Sequence, residues 1–335
     1  MTGHQPFPQT SRAKPKVYGG IEAGGTKFVC AVGSGPDSVL DRAVFETRAP
    51  EATLADVIAF FQGAAQQHGP LSGLGVGAFG PVNIDPRSPG YGHILDTPKP
   101  GWAGTDIVGM LERALGIAVA IDTDVNCALM GEARWGSGMG YSNLIYVTIG
   151  TGIGAGIMVN DRIVYGASHP EIGHVFVPKS ADDVGFGGNC QFHQDRCIEG
   201  LVSGPAIKAR YGKSADELSE DHAAWDLVAN YIAVLCGNLL LTVAPDRIIL
   251  GGGVMNQKHL YPMVTAALGK NIAGYVDIGR NRDPRHDFIT SPGLGADSGI
   301  CGALALAASS DRQASRLNST GSDVRSAGGT FSASP

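Results

Sequence analysis

"VYGGIEAGGTKFVCAVG" (residues 17–33) and "LIYVTIGTGIGAGIMVN" (residues 144–160) share one grammar: an apolar strand, a glycine-rich turn and a second apolar strand. Two short runs rich in Val, Ile, Phe and Tyr around such a turn read as a β-hairpin. The two stretches lie about 130 residues apart in a chain of 335, which predicts two structurally related halves. That length also exceeds one ordinary hydrophobic core and suits two domains.

Around these hairpins the periodicity alternates. Residues 52–69 carry apolar side chains at helical spacing. Residues 71–83 read as a strand ending in a Gly-Pro turn, 106–116 as a helix closed by Gly116, and 117–126 as a buried strand running into a helix over 125–136. In the second half, 223–245 predicts a long buried helix stopped by Pro245, 247–254 a strand entering a glycine turn, and 295–308 a small-residue helix. Strands alternating with helices give the α/β class. The expected architecture is two α/β lobes with a cleft between them.

Composition narrows the function. Hydrophobic residues make up 43% and charged residues 17%, which permits a large core. The 49 glycines follow no collagen-like period, so many backbone positions need tight turns or close approach to a ligand. A net charge of −6 argues against nucleic acid or an anionic membrane as the main partner. No apolar run reaches a membrane span, and the start lacks the apolar stretch of a signal peptide. Cys30, Cys127, Cys236 and Cys301 are scattered through apolar sequence, as reduced core thiols would be. A cytoplasmic protein is expected.

Three glycine turns are candidate phosphate cradles. Gly24-Gly25-Thr26-Lys27 follows Glu22, and serves equally as a plain hairpin turn or as backbone N–H groups aimed at phosphate oxygens, with a hydroxyl and a charge added. It is not a P-loop, since G-x-x-x-x-G-K-[ST] is absent. Gly150-Thr151-Gly152 offers the same chemistry in the second half, and Gly251-Gly252-Gly253 follows a strand. Three such turns together suit the phosphates and nucleoside of ATP. Asp122-Thr123-Asp124-Val125-Asn126 lies where a buried strand meets a helix. It reads either as a helix cap or as a carboxylate base at the cleft edge, of the kind that phosphoryl transfer to a hydroxyl needs.

"HPEIGHVFVPKSADDVGFGGNCQFHQDRCIEG" (residues 169–200) gathers His174, Cys190, His193 and Cys197 as H-x15-C-x2-H-x3-C. Four N/S donors with two short spacings suit a closed, structural zinc site. A Cys190–Cys197 disulfide does not suit a cytoplasmic chain, and the spacing argues against unconnected surface histidines. His169 stands as a spare. Glu171 and Glu199 sit beside the ligands, so zinc would order a loop that presents carboxylates. The phosphate turns lie elsewhere in the sequence, so loss of the metal is expected to weaken sugar binding first and ATP binding less.

The ordered set E-A-G-G-T-K, D-T-D-V-N, T-I-G-T-G-I-G-A-G, H-P-E-I-G-H, C-x2-H-x3-C and L-G-G-G-V resembles the ROK family of sugar kinases over residues 17–308, and within it the bacterial fructokinases most. The resemblance implies a two-lobed, actin-like ATPase (ribonuclease H-like) fold with an interlobe cleft and a zinc-bound loop. It implies an N-terminal lobe over 17–123, a C-terminal helix at about 297–308 packing back on it, and a C-terminal lobe over 124–296 that includes the zinc loop 169–200. A disordered arm (1–16) and a disordered tail (309–335) are expected at the ends, the tail being rich in Ser, Gly and Ala.

The resemblance further implies a sugar and MgATP meeting in the cleft, with Asp124 as the base. Thr97, Thr123, Glu171, His174 and Glu199 match the sugar side, and Pro81 and Trp102 match segments near it. Gly24, Gly25, Thr26, Lys27, Gly150, Thr151, Gly152 and Pro205 match the phosphate side, and Gly251, Gly252 and Gly253 the adenosine side. Three positions depart from the wider family: Glu22 where many members have Asp, Thr123 where glucokinase-like members have Asn, and C-x2-H-x3-C in place of C-x-C-x4-C. All three look like the fructokinase branch and favour D-fructose over glucose, mannose or an N-acetylhexosamine. The expected cofactors are Mg²⁺ with ATP and structural Zn²⁺, and the expected assembly is a homodimer. A sugar-responsive regulator would need a DNA-binding module that the first 16 residues cannot hold. A non-catalytic actin-like assembly or chaperone ATPase would leave Asp124 and the zinc cluster without a joint purpose.

Overall fold

The computed structural model describes residues 16–276 and 287–326, with side chains as far as Arg312. The first hairpin forms β1 (Tyr18–Ala23) and β2 (Lys27–Gly33), extended by β3 (Val39–Glu46); β4 (Leu74–Ala78) and β5 (Val119–Thr123) complete a five-stranded sheet ordered β3-β2-β1-β4-β5. β1, β2 and β3 are antiparallel, whereas β4 and β5 run parallel to β1.

The second hairpin, β6 (Leu144–Ile149) and β7 (Ile153–Val159), starts the same path again. With β8 (Arg162–Ile163), β9 (Arg247–Gly251) and β10 (Ile289–Thr290) it gives the order β8-β7-β6-β9-β10. β9 and β10 are parallel to β6, as β4 and β5 are to β1. The two halves share one topology.

Helices cover these sheets: α1 (Pro50–His68), α2 (Ile107–Leu115), α3 (Asp124–Trp135), α4 (Ile198–Val202), α5 (Gly204–Tyr211), α6 (Ala224–Val243), α7 (Leu260–Ile272) and α8 (Ser298–Ser326). α6 is apolar and long enough to cross a membrane. Its Val228, Ile232, Leu235 and Cys236 are instead fully buried in the core of the second lobe. α8 returns to the first sheet and lies on β1 and β4. The small residues of that sheet permit the contact, since a Cβ on Gly75 would fall 2.0 Å from the Ala303 carbonyl oxygen. α3 packs on β6 and β7 and crosses α8, so these two helices join the lobes. At the crossing a Cβ on Gly302 would lie 1.6 Å from the Cys127 carbonyl oxygen, a distance only glycine tolerates.

One expectation about the ends changes. Residues 309–326, expected to be disordered, continue α8. A helix already nucleated on a sheet adds residues at low entropic cost, which composition alone does not reveal. Asp311 on this extension accepts from Lys16 Nζ at 2.7 Å and from the Tyr18 hydroxyl at 2.9 Å. Residues 1–15 of the expected arm and 327–335 of the tail lie outside the described residues.

Candidate active site

Two cavities open side by side between the lobes, one of about 760 Å³ and one of about 340 Å³. Asp124, Val125 and Thr148 line both. Asp124 is the first residue of α3, directly after β5, and the cap there is Thr123, whose hydroxyl accepts from Asn126 N at 3.2 Å. Asp124 is therefore free of capping duty. One of its oxygens accepts from Val125 N at 2.8 Å, and burial pushes its carboxyl up to about 6.

The junction beneath Asp124 is braced. Asp122 is buried, and its carboxylate accepts from Thr123 N and from Asn126 Nδ2, each at 2.7 Å, and from the Tyr165 hydroxyl across the cleft. Burial raises its carboxyl despite these three donors. Glu22, near the end of β1, lines the smaller cavity with Asp124. Burial, reinforced by the charge of Asp124 and opposed by Lys27, pushes its carboxyl up to about 7.

The larger cavity receives Thr97, Thr123, Glu171, His174, Glu199 and Pro81, and also Gly25, Gly150, Thr151 and Gly152. The smaller receives Gly251, Gly252 and Gly253. Gly252 has φ 89°, and a Cβ there would meet the Ile149 backbone at 2.5 Å, so only glycine lets this turn close against β6. The expected sugar positions and the second glycine turn thus share one cavity, with the third turn on the other side of Asp124.

Other sequence candidates stay off these walls. Gly24, Thr26 and Lys27 belong to the β1–β2 turn, where Gly24 N donates to the Lys27 carbonyl at 2.9 Å, but Gly25 alone reaches the cavity. Pro205 is exposed in the first turn of α5; its neighbour Gly204 donates its N–H to the Gly150 carbonyl at 2.7 Å. Trp102 is fully buried, donates from Nε1 to the Arg48 carbonyl at 2.9 Å and packs edge-on to Phe79. It supports the cavity wall from behind and does not face a ligand. An indole beside polar loop residues reads as a contact residue until its packing is seen.

The structure also adds residues. Asn256, Lys258 and Tyr261 line the smaller cavity, and Lys99, His169 and Phe192 the larger. His169 was visible in the sequence as a histidine without a metal role. The others carry no local signal.

His174, Cys190, His193 and Cys197 meet as the spacing predicts, with ligand atoms all within 4.8 Å of one another. The Cys190 sulfur lies 3.9 Å from His174 Nδ1 and 4.0 Å from His193 Nδ1. Metal–ligand bonds of about 2.0–2.3 Å at tetrahedral angles need separations only slightly shorter. Two imidazoles and two thiols, three of the four from one short loop, can hold a metal ion. Earlier in the same segment, Asp183 pairs with Arg210 at 3.0 Å and accepts from the Tyr231 hydroxyl at 2.8 Å, a buried anchor into α5 and α6.

Comparison with known proteins agrees with this geometry. Residues 18–310 match the ROK family. A fructokinase from Pediococcus pentosaceus is 42% identical over 291 residues, covering 87% of this chain and 97% of its own. A fructokinase from Zymomonas mobilis is 37% identical over 301 residues, covering 89% and 98%. Among solved structures, a ROK hexokinase from Thermus thermophilus superposes with a TM-score of 0.73 at 23% identity, covering 89% of this chain and 99% of its own. A ROK glucokinase from Streptomyces griseus, solved with glucose and AMPPNP, gives 0.68 at 23% identity, covering 88% and 99%. With the family matched along most of its length and two lobes of the same fold, this chain belongs to the ROK family.

Proposed function

We propose that the protein is a fructokinase that transfers the γ-phosphoryl group of ATP to the 6-hydroxyl of D-fructose. The observation that carries this reading is the position of Asp124 on the wall shared by two cavities. The larger, with Glu171, His174 and Glu199, suits a sugar; the smaller, with Gly251–Gly253, suits the nucleoside. A group between them can take the proton of the hydroxyl while its oxygen attacks phosphorus in line. A carboxyl held up to about 6 by burial is ionised at neutral pH yet basic enough for that step. The backbone N–H groups of the second glycine turn, beside Glu199, would hold the phosphate oxygens in place. The relatives that bear the name fructokinase, at 37–42% identity, favour fructose over other hexoses.

Both expected metals suit the residues present. Glu22 and Asp124 are two carboxylates lining one cavity and partly shielded from water, each better tolerated as an anion beside a divalent cation. Mg²⁺ arriving with ATP would supply neutralisation of phosphate charge there, with Glu22 among the groups that hold it. The four-residue cluster, closed and of N/S chemistry, suits structural Zn²⁺. ADP release measured with the purified protein against fructose, glucose, mannose and N-acetylhexosamines tests the reading. Fructose should give the highest kcat/KM. A clear preference for another hexose would overturn the substrate and leave the kinase standing, whereas ATP turnover indifferent to any sugar would overturn both.

A further inference from the structure

The sugar-side carboxylates leave a chemical imbalance. When ionised, Asp124, Glu171 and Glu199 can only accept hydrogen bonds, whereas each sugar hydroxyl is both donor and acceptor. Of the histidines on that wall, His174 turns Nδ1 toward the Cys190 sulfur and belongs to the metal cluster. His169 does not. Its side chain is 12% exposed, lines the larger cavity and places Nδ1 3.4 Å from Glu171 Oε1. On its other side the ring approaches the first lobe, where a Cβ on Gly80 would lie 3.9 Å from Cε1.

The segment carrying it is fixed across the cleft. Tyr165 is 54% exposed, yet its hydroxyl donates to the buried Asp122 carboxylate of the opposite lobe. The chain from Tyr165 to Glu171 is thus held at its start by the strand that leads to Asp124, and at its end by the loop bearing the metal cluster.

Resting on the sugar-kinase reading above, we propose that His169 is a substrate-contacting, specificity-determining residue, its imidazole Nδ1–H donating to a sugar hydroxyl that in turn donates to the Glu171 carboxylate. Tyr165 and Asp122 act as positioning residues for it. A largely buried ring, with Nδ1 beside Glu171 and its Cε1 edge toward Gly80 of the first lobe, holds one hydroxyl geometry. Sugars that present no hydroxyl there leave a buried donor unpaired, which is how a polar site rejects a wrong substrate.

The test is steady-state kinetics of the full-length protein with MgATP and, in turn, fructose, glucose and mannose. His169→Ala should raise the KM for the preferred hexose by about tenfold or more, leave the ATP KM within about twofold, and flatten the preference among hexoses. His169→Gln, which restores a donor, should recover part of the loss, and Tyr165→Phe should shift sugar KM the same way by less. If His169→Ala folds poorly, as its thermal melt would show, His169→Gln and Tyr165→Phe carry the measurement. Sugar KM and hexose preference both unchanged in the His169 variants would overturn the proposal. That outcome differs from failure of the fructokinase reading, which wild-type protein alone reports through its hexose panel.

Discussion

Glu199 Oε2 accepts the backbone N–H of Ile153 at 2.9 Å, which fastens the loop bearing the Cys/His cluster to the second glycine turn. The same strand start is pressed by Gly173, where a Cβ would fall 2.0 Å from the Ile153 carbonyl oxygen. These contacts give the metal loop a direct path to the phosphate turn as well as to the sugar side.

Removing the metal should therefore weaken both ligands. Cys197→Ser, or treatment with a strong chelator, is expected to reduce fructose affinity by about tenfold or more and ATP affinity by a smaller factor. Ordering such a loop otherwise costs about 1–2 kcal/mol per residue, although the Asp183–Arg210 pair keeps its far part in place. Calorimetric titration of each ligand on chelated and zinc-restored protein checks this. Elemental analysis should find about one zinc per chain.

Asp124→Asn should fold and bind ATP while losing about 10²–10⁴-fold in turnover. The substitution keeps the amide acceptor for Val125 N and leaves the Thr123 cap intact. Near-normal kcat would remove Asp124 from the chemistry.

Much of this site was legible because it is local. Gly150–Gly152, Gly251–Gly253 and the D-T-D-V-N junction each sit at a strand end, where hydrophobic pattern and turn chemistry agree. β3 was not legible. It is an edge strand whose alternate residues Leu40, Arg42, Val44 and Glu46 face solvent, so apolar and charged side chains share the exposed face and the usual apolar/polar alternation is lost. Trp102 misled for the opposite reason, since its partners Phe28, Phe79 and Arg48 are remote in sequence. His169 and Tyr165 acquire meaning only once the two lobes face each other.

Glu132 shows how far such long-range assembly goes. It is fully buried on α3, and its carboxylate accepts from Ser137 N, Gly293 N, Leu294 N and the Ser298 hydroxyl, at 2.7–2.9 Å. It thus fixes the start of α8 to α3 where the lobes join. Glu132→Ala strands those donors and should destabilise the protein by about 3–5 kcal/mol, read as a lowered urea midpoint. A change within experimental error would show that water replaces the carboxylate.

The acid limb of activity should follow the two buried carboxyls of the cleft. With Asp124 at about 6 and Glu22 at about 7, kcat/KM should fall as pH drops from about 7 through 6, because the base must be ionised to accept a proton. Stability should run the other way. Both folded-state values lie above ordinary carboxyl values, so between about pH 4 and 7 the folded protein binds more protons than the unfolded chain. The stabilisation is complete at the acid end of that window and is lost as pH rises through 6 and 7. Asp124→Asn, which cannot ionise, should therefore melt a few degrees higher than wild type at pH 8 and show little advantage at pH 4.5. A melting temperature for the variant equal to or below wild type at pH 8 would mean that the Asp124 carboxylate is not strained by its burial.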